Sequence, residues 1–482
     1  MNLTVIGMTT ETDGISQAQM EDLKTYCGKN AGISQLREGF FGTAVSDPEK
    51  ALPRFRNTVR MGHMSIADHA WVEVLFENAS RMMAMIMNSL QYYNTTEKSG
   101  RYTEMTGNTP EQRALYDKWN EKFRKRIMEI HPDYNDAFIT KQLEKEDISG
   151  FYVKNGRIFA ENTGVFSGKD TDITDRPEVQ EKLNNILSNP RLPVNTRSQE
   201  NARYILSIFT KSTTFGYTTT LAQWNYIYDW CERYLEQFEY GNSGKLLRNI
   251  KDDTYDGTLR TATFFEEQVY KDLADLRVYL RENLYVEDLR DHKKRGFDML
   301  TDIFDENHFM KDYDHDCDEN IRFAYTTDYE TSLIVLSHLH RHKTLKYYMN
   351  LDVKHAGFYV PVFIKDTPDE KEWLDDMESV REQIPAGMLV HVIETGTLDN
   401  FALKTSERFC GCAMLETMLN VKSVAEKFVK LYESGRATWL EKNVIEKFYD
   451  PKCEKLRTKA TITDGCHEGC YFGCEHALDR IV

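Results

Sequence analysis

An α+β chain built as two lobes of one plan is what this sequence predicts, on three observations. Its 482 residues exceed the usual single domain. A polar stretch containing Gly and Asp over residues 240–275 divides it. On either side the same order recurs roughly 250 residues apart: strand, buried helix, polar or basic tripeptide, late helix. The expected lobes are residues 1–245, with a helical insertion at about 106–195, and residues 246–482, ending in a Cys-rich tail. Two unrelated α/β segments are the competing account.

Taken in order, Leu3-Thr4-Val5-Ile6-Gly7 reads as a strand, and helices are expected around Gln17–Gly28 and over Pro48–Met61. Ala70–Phe76 alternates as a half-buried strand should. Ser80–Gln91 is Met-rich and lacks Gly and Pro, so it reads as a helix buried on most faces, its methionines serving as core filler. Residues 106–195 are charged and weakly patterned, as in an insertion or lid. A helical pattern returns over Pro193–Phe238. In the second half Ile321–Thr326 and Met388–Ile393 read as strands, Ser332–Lys346 as a buried helix with a basic end, and Cys412–Tyr432 as an amphipathic helix.

The formal charge of −16 argues against a duplex-binding surface but leaves room for a mononucleotide, which needs only two or three local cations. No apolar run reaches the ~20 residues of a membrane span, and the first residues lack a basic-then-apolar signal pattern, so a cytoplasmic protein is expected. Nine cysteines are then expected to be reduced. Cys453, Cys466, Cys470 and Cys474, interleaved with His467 and His476, are compatible with zinc, although x2 rather than x3 is the commoner ligand spacing. An unmetallated tail is the reading adopted.

Three clusters carry candidate chemistry. His63, Ser65 and Asp68 follow Gly62 and either cap a helix or face a ligand. Glu97, Ser99, Arg101 and Tyr102 put a carboxylate, a hydroxyl, a guanidinium and a phenol into six residues. They form either a solvated charge pair or a ligand grip with Arg101 on a phosphate. His338, His340, Arg341, His342 and Lys343 are the densest basic group, read as a helix end that completes the macrodipole, as an anion site, or as a His338/His342 metal pair.

Together these segments resemble the flavin-dependent thymidylate synthases. Gly62-His63-x-Ser65-x-x-Asp68-His69 is similar to the family's GH-x-S-x-x-EH, with Asp for Glu. Ser89-Leu90-Gln91 stands where the family has Arg-His-Arg, and seven residues later Ser99-Gly100-Arg101-Tyr102 keeps the family's Ser-x-Arg-Tyr. The opening strand and helix, and Glu200-Asn201-Ala202-Arg203 beside the family's E-x-A-R, extend the likeness. Tyr217–Gln223 lies where an Asn-x-Arg stretch is absent. In the second half Arg341-His342-Lys343 resembles the missing tripeptide, and Thr395-Gly396-Thr397-Leu398-Asp399 resembles Thr-Gly-Asn-x-Arg with its Asn and Arg replaced.

The resemblance implies two tandem domains, each with a mostly antiparallel sheet and long buried helices, forming a pseudo-dimer. Two chains would pair as a pseudo-tetramer. It implies transfer of one carbon to C5 of a pyrimidine deoxynucleotide, most simply dUMP to dTMP, with FAD as cofactor and NADPH and methylenetetrahydrofolate as co-substrates. Ser99, Glu97 and Arg101 would be catalytic. Arg101, Tyr102, Ser99, Arg203 and Gln223 would hold the nucleotide. His63, Ser65, Asp68, Arg341, His342 and Lys343 would hold the flavin, with Arg341 and His342 stabilising the negative charge of its reduced form. Hydroxymethylation of dUMP or dCMP, an inactive nucleotide-binding or scaffolding paralogue, and a metalloprotein using the tail are the alternatives.

Overall fold

The computed structural model describes residues 1–8, 10–11, 15–35, 47–90, 92–98, 109–145, 150–161, 170–239, 264–289, 324–409, 413–435, 445–446, 448–449 and 480–481. The first lobe opens with β1 (Asn2–Met8), β2 (Thr10–Glu11), α1 (Gln17–Gln35) and α2 (Pro48–Arg60). Asp47 caps α2, its carboxylate accepting from the Glu49 N–H at 3.0 Å, and Pro48 takes a first-turn position that needs no donor. A 3₁₀ turn, Met64–His69, leads into β3 (Trp71–Ala79), whose Val72, Val74 and Phe76 are fully buried on one face. Ser80 caps α3 (Arg81–Ser89), which is buried along its whole length as expected, and β4 (Asn94–Glu97) follows.

The insertion departs from the expected helical lid. Its α4 (Pro110–Ile130) places Trp119, Phe123 and Ile127 on one buried stripe, with α5 (Asp136–Glu144) behind it. Next come three strands, β5 (Phe151–Lys154), β6 (Arg157–Ala160) and β7 (Thr171–Asp172), then α6 (Pro177–Leu187) and α7 (Pro193–Ala202). Asn155 and Gly156 both have positive φ, 51° and 73°, as a two-residue hairpin requires. The Asp136 carboxylate accepts from both of their N–H groups. Ile139, Leu143, Ile158, Leu183 and Ile186 form a separate small core here.

The lobe is completed by β8 (Thr213–Thr220), α8 (Leu221–Glu239) and α9 (Phe264–Asn283). Its sheet runs β2-β1-β3-β8-β4, antiparallel throughout. Although α9 lies beyond residue 245, its Asp272 accepts from Ser80 Oγ at 2.7 Å, so it packs with the first lobe.

The second lobe comprises β9 (Ala324–Ser332), α10 (Leu333–Leu339), β10 (Lys346–Asn350), α11 (Pro368–Ser379), β11 (Leu389–Thr397), α12 (Leu398–Arg408) and α13 (Leu415–Glu433). Helix α10 stops at Leu339 rather than Lys346, so the basic residues occupy the turn before β10. Strand order β9-β11-β10 repeats β3-β8-β4. The pairing agrees in register as well: Lys346 faces Thr395 where Asn94 faces Thr218. Ser332 caps α10 and donates to Glu416 of α13 at 2.7 Å, as Ser80 caps α3 and donates to Asp272 of α9. Thr220 and Thr397 each cap the helix that leaves the central strand. Between Phe76 and Ala79, around Asn78 at φ 52°, the first lobe carries a bulge that shifts its register.

One hydrophobic core runs through both lobes. Trp119 of α4 meets Trp373 of α11 edge-on at 5.0 Å. The backbone segments around residues 204–208 and 384–387 pair antiparallel across the seam, with Gly387 N donating to Tyr204 O at 2.7 Å and Ile208 N to Ile384 O at 3.1 Å. A Cβ on Gly387 would lie 3.0 Å from Tyr204 Cβ and 2.8 Å from Met377 Cε, so any larger residue would press on both.

Candidate functional site

The seam collects buried charge from both lobes. Arg81 begins α3, just before its apolar run Met82–Met87, and is buried. Its Nη1 donates to Glu97 Oε2 at 2.8 Å and its Nη2 to Lys98 O at 3.4 Å. Asn88, two turns along the same helix, donates to Glu97 Oε1 at 2.6 Å. The Glu97 side chain is 2% exposed. Both its oxygens are engaged within the first lobe, where it anchors Arg81.

Arg203, 3% exposed, closes the E-x-A-R segment. It lies 4.0 Å from Glu200, and its Nη2 is 2.8 Å from Met414 Sδ of the second lobe. From the second lobe, Arg408 at the end of α12 donates through Nε to His342 Nε2 at 2.8 Å and through Nη2 to His338 O at 3.2 Å. Burial holds His338 neutral, and the guanidiniums of Arg203, Arg81, Arg408 and Arg341 all push the same way. Four arginines drawn from both lobes thus act electrostatically on one imidazole. Burial also lowers the Arg81 pKa; Glu97 opposes this and Arg341 adds like-charge repulsion.

The second-lobe turn divides its three residues. Arg341 is exposed. Lys343 crosses to the first lobe, donating to Asn94 Oδ1 at 2.6 Å and lying 5.2 Å over the Tyr93 ring. His342 turns inward. Its Nε2 accepts from Arg408, and burial, with Arg408, Lys404 and Arg341 adding to it, holds the ring well below the usual histidine pKa. His342 is therefore neutral, because a bound guanidinium and burial both oppose a second proton. Beneath it Lys404 and Glu394 form a fully buried ion pair at 2.5 Å, with Tyr325 and Tyr329 hydroxyls donating to the same carboxylate.

A cleft of about 460 Å³ opens beside this cluster, lined by Tyr92 and Tyr93 from the first lobe and Lys343, Thr344, Lys346 and Asn400 from the second. A flavin nucleotide needs cations for its phosphates and a flat face for its rings. At the end of α3, Ser89 and Leu90 supply neither. The counterpart turn supplies Arg341 and Lys343, with Lys346 and the 62%-exposed Tyr92 alongside, so the second position fits such a group.

Other expected site residues lie elsewhere. Ser99, Arg101 and Tyr102 fall outside the described residues, as does the Cys-rich tail; no group with metal-binding geometry occurs among the described ones. His63 and Ser65 are exposed on the 3₁₀ turn, and His63 makes no side-chain cap bond. Asp68 accepts from Thr220 Oγ1 at 2.9 Å. These residues precede β3, whereas Arg81 follows it, so about 30 Å of extended strand separates them. Gln223 shares the Asp68 end; it is 1% exposed, and its amide has no hydrogen-bond partner among the described residues. Sequence reasoning missed Arg81, Asn88 and Arg408. A lone arginine at the head of a Met-rich buried helix was the available signal for the first.

Residues 18–230 match the family model of the thymidylate synthase complementing protein. Over these residues the chain is similar to that family. The family is that of the flavin-dependent thymidylate synthases, enzymes of dTMP synthesis, and its match spans α1 to α8 together with Arg81, Glu97 and Arg203. No curated protein matches the chain. No described helix is long and apolar enough to cross a membrane.

Proposed function

We propose that the chain is a tandem duplication whose lobes, divided after Leu289, form a pseudo-dimer with one composite site at their seam. Its reaction is one-carbon transfer to C5 of a pyrimidine deoxynucleotide, dUMP to dTMP first, with FAD, NADPH and methylenetetrahydrofolate. The observation that carries this reading is the set of arginines at the seam: Arg81 on Glu97, Arg203 against Met414 of the second lobe, and Arg408 on His342 and the His338 carbonyl, with Arg81, Arg203, Arg341 and Arg408 all favouring neutral His338. Such a field suits a nucleotide monophosphate, and each charge-assisted bond to it contributes ~1.5–3 kcal/mol.

FAD, when bound, supplies the redox chemistry. The protein's own part is binding and orientation. Arg101, Arg203 and Arg408 hold the nucleotide, with Ser99, Tyr102 and Gln223 as further expected contacts. Arg341 and Lys343 hold the cofactor phosphates or the reduced ring's charge. Glu97 fixes Arg81. His63, Ser65 and Asp68, remote from the seam of their own chain, serve the site of a second chain in a pseudo-tetramer. The cytoplasm is the expected compartment.

The purified protein should be yellow, absorbing near ~450 nm, and should release FAD on denaturation. Arg341→Ala should lower flavin occupancy and spare dUMP affinity, whereas Arg101→Ala should do the reverse. Damage to the same property by both changes would defeat this division. A second reading, a nucleotide-binding paralogue without catalysis, is favoured by the missing cations at Ser89 and Leu90. A colourless protein that binds dUMP would establish it. Screening dUMP and dCMP with folate donors separates methyl from hydroxymethyl products.

A further inference from the structure

A small cavity of about 20 Å³ lies at the seam, with Asn88 on its first-lobe side and His340, Tyr347, Lys343 and Lys346 on its second-lobe side. Three buried polar atoms of these residues, Asn88 Oδ1, His340 Nε2 and Tyr347 Oη, have no hydrogen-bond partner in the described structure. Buried groups of this kind are nearly always satisfied. Their donor and acceptor characters are set by their other bonds. Asn88 spends its N–H on Glu97, leaving Oδ1 as an acceptor. His340 Nδ1 faces the Met85 carbonyl at 3.5 Å, which can only accept, so Nδ1 carries the proton and Nε2 is a bare acceptor. The Tyr347 hydroxyl is free to donate.

We propose that this cavity is a socket for one water molecule that ties the second lobe to the Glu97–Arg81 pair of the first. A water needs roughly 10–15 Å³ and two to four polar partners, and the cavity offers both. The water donates to Asn88 Oδ1 and His340 Nε2 and accepts from Tyr347 Oη. A cation of similar size is disfavoured by Lys343 and Lys346 in the same wall. The bridged amide keeps Asn88 Nδ2 on Glu97, and Glu97 keeps Arg81 among the four guanidiniums. His340 and Tyr347 are thereby positioning residues for an arginine on the opposite lobe. Only this last consequence rests on the nucleotide reading above.

A crystal structure of the full chain, at a resolution that shows waters, tests the socket. One peak within hydrogen-bond reach of all three atoms is expected. A dry cavity, or one filled by a side chain, overturns the proposal. Titration with dUMP tests the positioning role: His340→Leu should weaken binding about tenfold and Tyr347→Phe about fivefold, each by loss of one hydrogen bond, while His340→Gln restores an acceptor and recovers affinity to about twofold of the unaltered protein. Equal impairment by Leu and Gln in folded proteins, or no impairment by Leu and Phe, overturns that role. Failure of the unaltered protein to bind dUMP would defeat the nucleotide reading alone, since the electron density decides the socket by itself.

Discussion

At matching positions the two lobes make opposite choices. Where the first lobe has Arg81, Asn88 and Glu97, the second has Leu333, His340 and Met349, all with buried side chains. Where the first lobe ends its buried helix with Ser89 and Leu90, the second has Arg341 and His342. The central strands and the helices after them differ likewise: the first lobe buries Tyr217 and Ile227, and the second buries the Glu394–Lys404 pair in their place. A shared backbone plan thus carries two incomplete polar sets, and the seam brings them together. The comparison teaches that topology and register survive polar substitution, because capping serines and apolar faces hold the frame.

The largest effect should come from the buried pair. Lys404→Met leaves Glu394 without its partner and should cost about 3–5 kcal/mol in urea unfolding, with most of it recovered when Glu394→Gln is added. Ile227→Val at the matching first-lobe position should cost only about 1 kcal/mol. A Lys404→Met loss no larger than that of Ile227→Val would remove the energetic contrast between the lobes.

Acid should expose the second lobe's histidines. Burial lowers the His340 pKa to about 4. The unfolded chain therefore binds a proton near the ordinary histidine pKa that the folded chain refuses, and stability falls as pH drops from about 6.5 toward 4. His340 alone should remove about 2 kcal/mol between pH 7 and pH 5, and His338 and His342, shifted the same way, add to it. Urea midpoints over that range check the sign. A His340→Phe protein that remains folded should show a shallower slope, and an unchanged slope would contradict the assignment.

The caps provide the smallest contrast. Ser80→Ala and Ser332→Ala should each cost about 1 kcal/mol as lost N-caps. Ser332→Ala should cost more, because Glu416 accepts from both its hydroxyl and its N–H while fully enclosed. Thermal melts of the pair measure the difference.

How much of this was readable beforehand follows from where polarity is buried. Apolar alternation marked β3, and an unbroken apolar run marked α3. The segment Leu398–Arg408 escaped notice because a fully buried lysine, Lys404, breaks the pattern that marks a helix face. Strand β10 went unread, the expected helix overlapping it only at Lys346, and nothing local shows that α10 ends at Leu339. The hairpin in the insertion had a signal, Asn155-Gly156 between two apolar triplets, that went unused. For the site, motif spacing pointed to Glu97, Arg203 and Arg341. The neutral state of His342 and the inward set of Glu97 depend on burial and on partners more than sixty residues away or on another helix, so no local pattern encodes them.

The most direct measurement of the composite site is calorimetric titration of the full chain with dUMP, comparing Arg81→Ala with Arg408→Ala. One nucleotide per chain is expected, with affinity lost in both variants because each lobe supplies part of the same field. Two nucleotides per chain, or one that is lost with Arg81→Ala and indifferent to Arg408→Ala, would contradict it.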